Sequence, residues 1–232
     1  MKNNFLLLII FFISSNVFTQ EISIELKAGQ VFDILPLKRN QNVNPELRQF
    51  YLKDSISPRA KELGYIPLGG VRTSEVAIQG NFSPDLIAFG AWKDMESVYE
   101  IMEQIEKEFP NFHLLRRKIW SVFYNTHYEL KEDVNLKFTK DKFYVATSYW
   151  TKQPSYYKNL IKLTTQNIKK YKGKIILELS EGEPPYGYYY NPDYFFITEW
   201  DSESEFQKFL KDHKSLEKQY LQHINQFKII IN

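Results

Sequence analysis

The chain has 232 residues, 43% hydrophobic and 25% charged, with 30 basic and 28 acidic residues and a formal net charge of +2. That is ordinary globular composition, enough for one large domain or two small ones that each bury a core. Near-neutral, well-mixed charge excludes a long-range field that would draw nucleic acid or an anionic membrane. The absence of cysteine excludes disulfides, thiolate metal sites, a Cys nucleophile and a lipid-modified amino-terminal Cys.

The amino terminus has the pattern of a secretory signal peptide over residues 1–19. Lys2 gives a basic start, Phe5–Ile13 is an unbroken apolar run, and Ser14–Thr19 is more polar. The run is too short to cross a bilayer, which takes about 20 residues. Val17 and Thr19 stand before a cleavage point at Gln20, so an exported protein, periplasmic or extracellular, is expected.

The remainder divides into a first unit over 20–130, a charged linker over 131–141 and a second unit over 142–232. Ile22, Ile24 and Leu26 alternate with polar residues as in a half-buried strand. Gln30–Leu37 is a second apolar run, holding Asp33, and Pro36 predicts that this strand ends there or lies at an edge. Asn44-Pro45-Glu46 reads as a capped helix start, with Pro58 breaking the pattern into a kink or two short helices before Gly64. Tyr65–Val71 and Leu86–Trp92 read as strands. Asp94 then caps a helix with the stripe Val98, Ile101, Met102, Ile105. Ile119–Leu130 reads as one long strand, with Phe123, Asn125 and His127 sharing a face.

The second unit repeats this order: strand Lys142–Trp150, helix Pro154–Tyr171, strands Lys174–Ser180 and Tyr194–Trp200, then a helix opened by Asp201 and Glu203. The stripe Phe206, Phe209, Leu210, His213 lies at a constant offset from that of the first unit. A short helix around Leu216–Ile224 and a strand Phe227–Ile231 complete it. The fold class expected is α+β: two tandem βαββαβ ferredoxin-like units whose bare aromatic sheet faces pack on each other. A ligand cavity is expected between the two sheets or between sheet and helices.

The segments Phe143-Tyr144-Val145, Tyr171-Lys172-Gly173-Lys174 and Phe195–Trp200 followed by Asp201 and Glu203 resemble a family of the dimeric α+β barrel superfamily. Gly69-Gly70-Val71 and Ala91-Trp92-Lys93-Asp94 are more loosely similar to NIPSNAP-like members. The resemblance implies a barrel formed within one chain. The superfamily includes cofactor-independent monooxygenases, haem-degrading enzymes and ligand-binding proteins. Haem-degrading members use an Asn, a Trp and a His at spacings this chain does not match, so that activity is not carried over.

Candidate residues follow from chemistry. Asn125 and His127 would orient or protonate a polar ligand, since imidazole titrates near neutrality. Glu199, in strand parity with Phe195 and Ile197, would serve as a base. The Gly- and Pro-punctuated loop carrying Tyr186, Tyr188, Tyr189 and Tyr190, with Phe123 and Trp150, would line an aromatic ligand site. His113 stands alone, and the spacing of His213 and His223 fits no standard metal pair, so no metal or other cofactor is expected. The expected partner is a small organic ligand, not nucleic acid and not a membrane once the signal is removed. The chain would be a monomer holding a pseudo-dimer, or a homodimer. Binding is the leading function; a cofactor-independent monooxygenase or isomerase-like enzyme, or an interaction module without a pocket, are the alternatives.

Overall fold

The computed structural model describes residues 22–185 and 190–231. The signal segment and Tyr186, Tyr188 and Tyr189 therefore lie outside the described residues. In chain order, β1 (Ser23–Leu26) leads to β2 (Val31–Arg39), α1 (Pro45–Gln49), a π-helical turn (Phe50–Asp54) and α2 (Ile56–Glu62). Asn44 caps α1 by accepting from the Glu46 amide at 2.8 Å. Next come β3 (Ile66–Thr73), β4 (Leu86–Trp92), α3 (Met95–Glu108), α4 (Phe112–Ile119), β5 (Trp120–Phe123), β6 (Thr126–Glu129) and β7 (Val134–Lys137). The second half holds β8 (Phe143–Thr151), α5 (Tyr157–Lys170), β9 (Lys174–Ser180), β10 (Tyr194–Trp200), α6 (Glu203–Tyr220) and β11 (Leu221–Ile230).

Among the described residues, nine strands make one antiparallel sheet in the order β5-β2-β4-β3-β11-β8-β10-β9, with β6 also beside β2, and β1 pairs with β7 as a separate two-stranded sheet. Each half has the ferredoxin-like order, its first strand central and its second and fourth at the edges. Two seams join the halves. At one, Arg72 and Thr73 of β3 lie opposite Ile230 and Ile229 of β11, and the ladder continues as Ser74 and Ile78 donate to Lys228 and Gln226. At the other, the His127 and Glu183 backbones exchange hydrogen bonds of 2.9 and 2.8 Å, closing the sheet on itself.

Strand alternation sorts side chains to two sides. Phe32 and Ile34 of β2 and Tyr144 and Ala146 of β8 point into the barrel. Val31, Leu35 and Leu37 meet the stripe of α3, while Phe143, Val145 and Tyr149 meet α5 and α6. Between the sheets, one of the two places where a cavity was expected, Phe32, Phe89, Phe138, Tyr144, Phe195 and Phe227 are fully buried. Each such aromatic contributes roughly 1.5–3 kcal/mol of burial, so this face is the chief source of cohesion between the halves. Among the described residues, no helix is long and apolar enough to cross a membrane.

Several expectations are corrected. Pro36 neither ends nor edges its strand; β2 runs through it between β4 and β5. The Pro36 carbonyl accepts from Tyr124, so the missing proline donor points at the break between β5 and β6 and costs no ladder bond. That break divides the long strand expected over 119–130, and a bulge beside Arg39 turns Trp120 to the helix side with Phe123. The charged linker contains β7, paired to β1, because Val134, Leu136 and Phe138 alternate beneath the charges. Finally, α6 runs unbroken to Tyr220 and β11 starts at Leu221, where a short helix was expected.

Candidate functional site

On the helix-facing side of the first sheet, Gly90, Asp33 and His127 stand side by side on β4, β2 and β6. Gly90 is required there: a Cβ would lie 2.1 Å from the Tyr65 hydroxyl oxygen, because the Tyr65 ring lies flat over it. Trp92, two residues on, packs 4.8 Å from the Tyr65 ring and 6.3 Å from that of His127. Burial, with the Asp33 charge second, pushes the Tyr65 phenol well up from its usual range.

His127 Nε2 lies 3.2 Å from Asp33 Oδ1 and 3.3 Å from Asn125 Nδ2. The Asp33 contact is short but poorly aligned, and Asp33 Oδ1, Asn125 Oδ1 and Trp92 Nε1 are buried without a hydrogen-bond partner. Such orphaned atoms are uncommon, because each carries a desolvation cost of about 1–3 kcal/mol. Asn125 and His127 are thus brought together, and Asp33 joins them. Its sequence signal was a lone charge within a run of buried apolar residues; its cross-strand partner was not readable.

The other sequence candidates lie elsewhere. Glu199 sits on the barrel side of the second sheet and accepts from Tyr144 at 3.1 Å. Phe123 faces the helices of the first half, under the Arg116 guanidinium at 4.3 Å. Tyr190 plugs the barrel mouth, where its hydroxyl donates to Ser148 Oγ at 2.8 Å and its ring meets Trp150, Tyr124 and Phe82. Trp150 in turn packs 5.0 Å from His223.

The second half hides a network at the matching level. Tyr149 donates to Glu217 Oε1 at 3.2 Å and accepts from His213 Nε2–H at 3.2 Å. Asn167 Nδ2–H donates to His213 Nδ1 at 3.1 Å, and Gln79 donates to Glu217 Oε2 at 2.9 Å. Burial lowers the His213 pKa to about 4 and raises that of Glu217. Every polar atom named here has a partner, which marks a structural network. Among the described residues, no three His, Asp or Glu are gathered as a metal site requires.

At the seam closed by Glu183, the outer edge of β9 is unpaired, and an open cleft of about 950 Å³ runs along it between α5 and the segment joining β6 to β7. Its apolar lining includes Tyr128, Leu130, Tyr157, Ile161 and Tyr194; Lys131, Lys169 and Lys174 border it together with Glu129, Glu132 and Glu178. Gly173 forms one end against the Trp200 indole, which a Cβ there would meet at 2.5 Å.

No protein-family model matches the sequence, and no curated protein is similar to it in sequence. Solved structures do match in shape. An anthrone oxidase-like protein superposes with a TM-score of 0.54 at 10% identity, over 89% of this chain and 94% of its own. A mutant chlorite dismutase from Candidatus Nitrospira defluvii superposes with a TM-score of 0.53 at 9% identity, over 88% and 92%. At such identity the likeness carries architecture and not chemistry. The chain has the fold of the dimeric α+β barrel superfamily, with both ferredoxin-like units in one polypeptide.

Proposed function

We propose that this protein binds a small organic molecule in the cleft along β9. The observation that carries the reading is the cleft itself, whose volume of about 950 Å³ falls in the range of small-molecule sites, roughly 300–1,000 Å³. Its lining supports the choice of ligand: apolar and aromatic walls suit a hydrocarbon or ring. The bordering charges are of both signs, favouring a neutral or zwitterionic compound over a strongly charged one. The cleft also weighs against an interaction module without a pocket.

Trp200, packed against Gly173 at the end of the cleft, supplies an internal reporter. Titration of a metabolite library should find compounds that change tryptophan fluorescence saturably. Thr165→Phe, which fills the cleft from α5, should abolish that response while leaving circular dichroism unchanged. Binding undiminished by Thr165→Phe would place the ligand elsewhere, and no saturable response from any compound would remove the reading.

The amino-terminal pattern of Lys2 and Phe5–Ile13 supports export as part of the same proposal. Mass spectrometry of the protein made in a secreting host should give a mature chain beginning near Gln20. A full-length chain retained in the cells would contradict export.

A further inference from the structure

The polar group around His127 is independent of the cleft, and its hydrogen-bond logic fixes how it would act. Nε2 faces both a carboxylate oxygen at 3.2 Å and an amide at 3.3 Å, with the His127 and Asp33 side chains only 2% and 3% exposed. If Nε2 carried a lone pair, the Asn125 N–H at 3.3 Å would donate to it, but the lone pair would still face the Asp33 carboxylate lone pairs in a buried site, leaving Asp33 without a donor there. If Nε2 carries the proton, Asp33 accepts it, and the Asn125 amide turns its oxygen toward the same N–H. An amide occupies the same space with oxygen and nitrogen exchanged, so this orientation is open to it. Two consequences follow. Nδ1 keeps its lone pair, and Asn125 Nδ2–H joins Trp92 Nε1–H as an unused donor.

We propose that Asp33 and His127 form a carboxylate–imidazole dyad with His127 Nδ1 as a general base, and that Asn125 and Trp92 hold the substrate oxygen. The chemistry is enolisation of a small carbonyl compound bearing an acidic α C–H. Nδ1 takes the α proton as the C–H bond breaks. The electron pair moves into the new C=C bond and onto the carbonyl oxygen, which the two N–H donors stabilise. The imidazolium is stabilised by Asp33, which acts as a positioning residue rather than touching the substrate. Returning the proton to another atom of the substrate completes an isomerisation, with no oxidant or co-reactant. Tyr65, partly buried and lying over Gly90 beside Trp92, is the side chain whose displacement would admit the substrate.

Two experiments on the full chain test this. Long-range proton–nitrogen correlation spectra of the 15N-labelled protein report the tautomer of each of the four histidines, with His127→Gln assigning the signal. The expected result is an Nε2–H tautomer at His127, with the preference lost in Asp33→Asn. An Nδ1–H tautomer in the unsubstituted protein overturns the proposal even if the variants fail to fold. The second experiment follows deuterium exchange into the α positions of cyclohexanone, acetoacetate and phenylpyruvate in heavy water. At least one probe should exchange tenfold or more faster with the unsubstituted protein than with His127→Gln, with a smaller loss in Asn125→Ala. Exchange no faster than His127→Gln for every probe also overturns it.

Discussion

Replacing His213 with glutamine isolates one pH-dependent contribution to stability. His213 is fully buried, and both ring nitrogens are engaged as a neutral imidazole: Nε2–H faces Tyr149 and Thr164, and Nδ1 accepts from Asn167. Protonation would bury a charge and set an N–H against the Asn167 amide, so burial holds the folded pKa near 4 against 6.5 in the unfolded chain. The depressed pKa means that the unfolded state takes up the proton first. Stability is therefore fully present above about pH 6.5 and is lost as pH falls toward 4. Each pH step of one between the two pKa values is worth about 1.36 kcal/mol, so the loss between pH 7.5 and 4.5 comes to roughly 2.5 kcal/mol. Glu217, reached through Tyr149, acts in the opposite sense: its raised pKa stabilises the fold at low pH and is lost as pH rises. Glu217 is common to both chains and cancels in their comparison. Urea unfolding at the two pH values should show the unsubstituted protein losing roughly 2.5 kcal/mol more than His213→Gln. Equal losses in the two proteins would refute the reasoning.

Other perturbations test other layers. Phe89→Ala, at a ring stacked 6.4 Å from Phe138 inside the barrel, should cost about 3–5 kcal/mol in denaturant unfolding; a cost under about 1 kcal/mol would mean the interior is loosely packed. Gly90→Ala should expel the Tyr65 ring and cost about 1–3 kcal/mol, and ultraviolet titration should show one tyrosine returning toward its ordinary pKa. Asp94→Ala removes the cap that accepts from the Ser97 amide at 2.8 Å and should cost about 1 kcal/mol, read as a lower Tm.

The legible parts of the fold were those governed by local pattern. Leu86–Trp92, Lys174–Ser180 and Tyr194–Trp200 are strands with the bounds read from alternation and flanking turn residues. The stripe of α3 and its Asp94 cap follow from helical spacing alone. What stayed hidden depends on partners distant in sequence. Whether Pro36 breaks its strand is decided by what lies across the ladder, and there the neighbour happens to be interrupted. The strand within residues 131–141 is stabilised by β1, more than a hundred residues earlier, beneath a charged surface pattern. Asn125 and His127 share a face because their spacing is two residues. Asp33 completes the group only through pairing of β2 with β6, which no local pattern encodes. Where a cavity lies was left open between two places because bare aromatic sheets imply burial without saying whether a space remains between them.

A single disulfide test bears most directly on the architecture. Arg72 in the first half and Ile230 in the second are opposed, solvent-facing residues at the β3–β11 seam. Opposed antiparallel residues have Cα atoms about 4.5–5.5 Å apart, within the reach of a disulfide. The natural chain has no cysteine to compete. Under mild oxidation the Arg72→Cys/Ile230→Cys protein should form one intramolecular disulfide when native, and none when oxidised in denaturant. Thiols that stay free in the native protein, or that link only between molecules, would show that the two sheets do not close into one barrel.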